Sequence, residues 1–168
     1  MSYSIHQAAF PGILQTLAAL SKILDKAAAH VKARKIGEAD LLSYRLAPDM
    51  FNLTRQIQIV TDQAKGCAAR LAGLPVPKYE DDETTIRELK QRIAKTVKFV
   101  KSIKKKQLEG VEDGKITMQM RSGTRVFTGA DYVSNWVMPN FYFHATAAYA
   151  ILRHAGLELG KRDFLNAA

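Results

Sequence analysis

Apolar residues recur along this chain at steps of three and four over four long stretches, and at steps of two over one short one. In residues 5–34, Leu17, Leu20, Leu24, Ala27, Ala28 and Val31 fall on one side of a helix, because 3.6 residues per turn returns the chain to the same face. Pro11-Gly12 marks the true start of that helix or a kink in it, and Ile36-Gly37-Glu38 ends it. A second helix is predicted from Pro48-Asp49, since proline suits the first helical position and an acid suits the positive end of the dipole. Its inward stripe is Leu53, Ile57, Val60, Ala64, Cys67 and Leu71, stopped by Gly73, Pro75 and Pro77. Residues 41–46 before it form a short extra turn, and residues 74–83 after it a loop rich in proline and acid. The third helix, residues 84–106, carries Ile86, Leu89, Ile93, Val97 and Val100 on one side and lysines on the others. The period then changes to two at Ile116, Met118 and Met120. With Ser122-Gly123 and residues 124–128, this predicts a short β-hairpin. A fourth helix covers residues 139–155, with Arg153 and His154 in its last turn and Gly156 just past it. The tail, residues 160–165, reads as a docked extended end.

Four long amphipathic helices and one hairpin predict an all-α fold: a four-helix bundle with a short β-hairpin between helices 3 and 4. Nothing divides residues 1–168, so a single domain is expected, and 168 residues suffice for a sizeable core. The hydrophobic share of 47% excludes a disordered chain. The single cysteine, Cys67, excludes an internal disulfide and fits a reducing compartment. The N-terminal residues lack a basic-then-apolar leader pattern, and no apolar run approaches the ~20 residues that span a bilayer. The expectation is a soluble, cytoplasmic protein without a membrane partner.

The net charge of +9 is concentrated in the third helix. Between Arg87 and Lys106 nine basic residues stand against one acid, Glu88. Lys98, Lys101 and Lys105 share a stripe of the kind that follows a phosphate backbone. The segment lacks interleaved aromatics and a recognition motif, so a solvated lysine face is the simpler account, and nucleic acid is disfavoured as a partner.

Candidate chemistry lies in Pro139-Asn140-Phe141-Tyr142-Phe143-His144, where Asn140 and His144 are one helical turn apart and share a face. This stretch runs on to Gly160-Lys161-Arg162-Asp163. Together with Leu24-Asp25-Lys26-Ala27, and with Arg45-Leu46-Ala47-Pro48-Asp49-Met50 followed by Gln56 and Asp62, it resembles an uncharacterised bacterial branch of the DinB-like (DinB/YfiT) superfamily. The resemblance covers nearly the whole chain. It implies a four-helix bundle with a long crossover after the second helix, often dimeric. In many members a divalent metal is held by one histidine on the second helix and two histidines four apart on the fourth. Several relatives are metal-dependent thiol transferases or isomerases.

The positions that the resemblance assigns to those ligands are Gln56, Asn140 and His144, so His144 is the one family-type ligand retained. Amide oxygens are weak ligands for zinc or nickel, and a catalytic zinc site takes three good protein ligands. No metal and no cofactor is therefore expected. Gln56, Asn140 and His144 are read instead as a hydrogen-bonded polar cluster lining a small-molecule pocket, with the hydroxyls of Tyr142 and Tyr149 as further candidates. Cys67 reads as a small buried hydrophobe, His6, His30 and His154 as surface residues, and Asp40, Asp49 and Asp62 as capping or turn residues. No glycine-rich phosphate loop or serine elbow is present. The sequence leaves catalysis open and points first to a binding or accessory protein, the expected partners being a second copy and a small molecule. The alternatives are an enzyme (metal-dependent with unusual ligands, or a metal-free transferase or isomerase) and a polyanion-binding protein using the third helix.

Overall fold

A computed structural model describes residues 4–120 and 122–167. Helix α1 spans Ile5–Arg34. Its start is set by Ser4, whose hydroxyl accepts from the Gln7 N–H while the Gln7 side chain accepts from the Ser4 N–H. Pro11 lies inside the helix and does not mark its start. Of the predicted face, Leu17, Leu20, Leu24 and Ala27 are buried, Val31 is half-buried and Ala28 is exposed. Helix α2, Glu38–Ser43, is the short turn, three residues earlier than expected.

Helix α3 is Leu53–Leu71, beginning four residues after Asp49. Arg45 explains the difference. Its guanidinium donates to the Pro48 and Met50 carbonyls at 3.4 and 3.2 Å, which holds this stretch as a turn. Asn52 then supplies the cap, its side chain accepting from Arg55 N–H at 3.0 Å. Helix α4 is Ile86–Ser102, capped by Thr85 with Glu88 in the reciprocal position. It stops before Lys105, which sits in a separate 3₁₀ turn, Lys105–Leu108. Lys98, Lys101 and Lys105 therefore do not lie on one helix.

The hairpin forms as expected from β1, Lys115–Met120, and antiparallel β2, Gly123–Thr128, with Ile116 opposite Phe127. Gly123 takes φ of 120°, a conformation open to glycine at little cost. A three-residue helix α5, Gly129–Asp131, leads through a π-helical turn, Tyr132–Val137, into α6, Met138–His154. The wide turn, in which Met138 N–H reaches back five residues to the Val133 carbonyl, accommodates Pro139, which has no N–H to give. Helix α7, Lys161–Phe164, replaces the extended tail that the sequence suggested. It docks on α1 through Lys26–Asp163 at 2.6 Å and through Gln15, whose amide donates to the Leu165 carbonyl at 2.6 Å.

The protein is thus mostly helical with one small two-stranded antiparallel sheet. α3 packs against α4 and α6, and α1 closes the ring by packing against the same two helices. Leu20 and Leu24 of α1, Ile57 and Val60 of α3, Leu89 of α4 and Phe141 of α6 are fully buried between them. No helix among the described residues is long and apolar enough to cross a membrane.

Candidate functional site

Residues Gln56 and His144, 88 positions apart in the chain, meet where α3 and α6 pack together. Gln56 is buried. Its amide nitrogen donates to the Phe51 carbonyl at 3.1 Å, which fixes which way the carboxamide faces. The amide oxygen lies 2.7 Å from His144 Nδ1. An oxygen there demands a proton on Nδ1, so the neutral imidazole carries its hydrogen on Nδ1 and a lone pair on Nε2. Nε2 has no hydrogen-bond partner among the described residues.

Burial holds the His144 pKa below the ordinary histidine value, and the nearby Arg55 guanidinium adds to the effect. The neutral form is therefore favoured. The Phe143 ring, 59% exposed, stands edge-on to the imidazole at 5.1 Å, and Phe51, whose carbonyl holds the Gln56 amide, is 54% exposed. A lone pair beside an exposed aromatic ring can accept a hydrogen bond from a bound molecule or take up a proton from it.

The sign of the His144 shift gives a stability prediction. As pH falls through the unfolded histidine value of 6.5, the unfolded chain takes up a proton that folded His144 resists. Stability should be full above that value and fall as pH drops below it. Urea unfolding between pH 7 and 5 should show a smaller loss in His144→Phe than in the wild type. A residual slope is expected from His6, whose pKa is also lowered by burial.

The other three sequence candidates lie apart from this pair. Asn140 donates its amide to the Trp136 carbonyl at 2.6 Å, satisfying the backbone one turn earlier beside the proline; it makes no hydrogen bond to Gln56 or His144. The Tyr142 hydroxyl lies against α1, 2.6 Å from where a Cβ on Gly12 would stand. Tyr149 packs edge-on to Phe164 of α7 at 5.7 Å. Of the remaining histidines, His154 is exposed. His6 is half-buried and stacked on Phe10 at 4.9 Å, and His30 is half-buried, so these two are not plain surface residues. Cys67 is buried, and burial pushes its thiol pKa up to about 12, which leaves no thiolate for reaction at neutral pH.

A second polar cluster escaped the sequence reading. Arg92, counted there with the basic face, is only 4% exposed. Its guanidinium donates to Thr61 Oγ1 at 2.7 Å, Asp62 at 2.8 Å, Glu83 at 2.9 Å and the Glu80 carbonyl at 2.8 Å, and it pairs with Asp81 at 3.0 Å. Lys65, Arg92 and Lys95 surround the Tyr79 ring, with both lysine nitrogens 4.1 Å from its centre. Asp62 is thus an ion-pair partner rather than a cap. The sequence did contain a signal: Leu89, Arg92, Ile93, Thr96 and Val100 share one helical stripe, and an arginine inside an apolar stripe needs carboxylates. The acidic stretch Glu80-Asp81-Asp82-Glu83 supplies them.

The sequence profile of a family described as a domain of unknown function (DUF1993) matches residues 5–165. The chain belongs to the DUF1993 family. This DUF1993 chain is also similar to a crystal structure of a DinB family member protein from Shewanella denitrificans, with 38% identity and a TM-score of 0.91 over 98% of this chain and 93% of that one. The DinB-like fold expected from the sequence is therefore present. No curated protein sequence matches significantly. Among the described residues, no three or more His, Cys, Asp or Glu side chains are grouped as a metal ion needs.

Proposed function

We propose that this DUF1993 protein is a binding or accessory protein, a DinB-like four-helix bundle that takes a small molecule with a hydrogen-bond donor at His144. The observation that carries this reading is the 2.7 Å contact between Gln56 and His144 Nδ1, which leaves Nε2 as a fixed acceptor beside the exposed Phe143 ring. The same contact argues against the three-ligand metal site of the superfamily. Gln56 Oε1, the atom that would ligate, is occupied by the imidazole proton, and amide oxygens are in any case weak ligands for zinc or nickel. The metal site is read as degenerate. The lone cysteine supports a cytoplasmic location, and the superfamily resemblance supports a homodimer.

The basic-helix alternative has less support. Arg92 is buried, Lys90 pairs with Asp25, and Lys95 stacks on Tyr79, which removes three of the nine cations from a free face.

A small-molecule screen by thermal shift tests the reading. A ligand at a hundredfold excess over its Kd should stabilise the wild type by about 2.7 kcal/mol, and His144→Ala should lose that gain. If the alanine variant responds equally, the site is elsewhere. Metal analysis of protein purified without chelators should give below ~0.1 equivalent of zinc or nickel, because a true site holds its ion through purification; a stoichiometric ion would overturn the degenerate-site reading.

A further inference from the structure

The charges of this chain avoid one side of it. None of the 25 basic and 16 acidic residues falls in residues 1–21 or 132–152. These two runs belong to the first half of α1 and to α6 with the π-helical turn before it, and α1 and α6 pack side by side. The Tyr142 hydroxyl lies against Gly12 of α1, and Gln15 of α1 donates to the Leu165 carbonyl just past α7 at 2.6 Å. Pro11 of α1, Pro139, Tyr142, Phe143 and Thr146 of α6, and Leu165 are all exposed. On α6 the exposed residues recur at steps of three and four, opposite the stripe that Phe141, Ala145, Ala148 and Leu152 bury. A helix that is apolar on both sides is ordinarily covered on both.

We infer that this uncharged face is where two copies of the chain meet, α6 against α6. The inference names a face for the homodimer proposed above and rests on that reading. Across a two-fold axis a residue near the centre meets its own copy, so any charge there faces its like. A surface free of charge is what such a contact requires, and Phe143 offers a large ring to bury in the middle of the stripe. The position of the basic segment points to the same occupant. Between Arg87 and Lys106 nine basic residues against Glu88 give a net +8, nearly the whole +9 of the chain. Helix α4, which holds most of that segment, stands across the bundle from α6, since α1 and α3 each pack against both. Pairing through α6 therefore puts the two basic helices at the outer ends of the dimer, where their repulsion is weakest. A partner recognised by opposite charge would be drawn to α4 instead. The contact also covers one side of the His144 imidazole, because Phe143 stands edge-on to it at 5.1 Å.

Sedimentation velocity over a concentration series tests this on the wild type, Phe143→Glu, Thr146→Glu and Val126→Glu, each first checked for helical content. Val126 is exposed on β2 and lies outside both uncharged runs, so it reports the effect of a new surface carboxylate as such. The wild type and Val126→Glu should be dimers at ~10 μM, and their association should hold or tighten as salt rises from about 0.05 M to about 0.5 M, because screening relieves repulsion between like-charged copies. Phe143→Glu and Thr146→Glu each bring two like charges together across the axis and should weaken the dimer by at least about 30-fold, the effect of losing a central contact residue. If Phe143→Glu fails to fold, Thr146→Glu carries the test alone. A wild type that stays monomeric at ~100 μM removes the homodimer reading and this face with it. A dimer that both helix variants leave intact removes the face alone. Equal dissociation of Val126→Glu overturns the face too, and so does an association that weakens with salt. A monomer that pellets with phosphatidylcholine vesicles, and ceases to do so as Phe143→Glu, would give the face to a lipid surface instead.

Discussion

Arg92→Ala should destabilise the protein by about 3 kcal/mol, measured as a lower urea midpoint with an unchanged slope. The guanidinium is buried and satisfies five groups, two on α3 and three on the crossover. Removing one member of a buried charged set costs about 3–5 kcal/mol when the partner is stranded. Here the stranding is partial. Asp62 and Asp81 keep about a third of their side-chain surface in water and can rehydrate, whereas Glu83 is 11% exposed and Thr61 is fully buried. That places the effect at the lower end of the range. Arg92→Lys should recover part of it, since one ammonium cannot reach all the acceptors that the planar fork serves. The crossover should also open to trypsin at Lys78 in the alanine variant. A loss below ~1 kcal/mol, with trypsin resistance intact, would show that the carboxylates hold the crossover without Arg92.

Phe141→Ala should cost about 4 kcal/mol, because a large ring is replaced by a methyl group in a site with no access to water. Phe141 is fully buried on α6 and edge-on to Tyr142 at 5.4 Å. It also precedes His144 by three residues, so the two side chains sit near each other along the helix. If α6 shifts to fill the cavity, the 2.7 Å contact to Gln56 is the nearest polar geometry to suffer. Phe141→Leu keeps most of the volume and should cost under about 1.5 kcal/mol. Differential scanning calorimetry on both variants separates the outcomes. Equal, small losses would mean that the α3–α6 interface closes over the gap without strain.

The candidate site was half legible. His144 stood out through its place on an amphipathic helix, and Gln56 through a resemblance whose helix start was misplaced by four residues. Asn140 and the two tyrosines were misjudged for a common reason. Spacing along a helix gives the face a residue shares with its neighbours, but it does not say whether the side chain bonds outward or back to its own backbone. Asn140 turns back to Trp136 because the π-helical turn and Pro139 disturb the backbone there. Tyr142 and Tyr149 share a face, seven residues apart, and that face meets α1 and α7 rather than α3. Arg92 was misjudged because net charge treats every cation alike, while burial depends on which stripe the residue occupies.

The sequence by itself determined the four long helices, the hairpin and the buried stripes of α3 and α4, since period and capping chemistry are local and are written in consecutive residues. The DinB-like architecture was also legible there, through resemblance. Tertiary structure alone decided that Gln56 meets His144, that Arg92 is a buried hub and that the uncharged runs of α1 and α6 lie side by side. Those pairings join residues dozens of positions apart, and their geometry follows from how helices pack against one another, which no local pattern encodes.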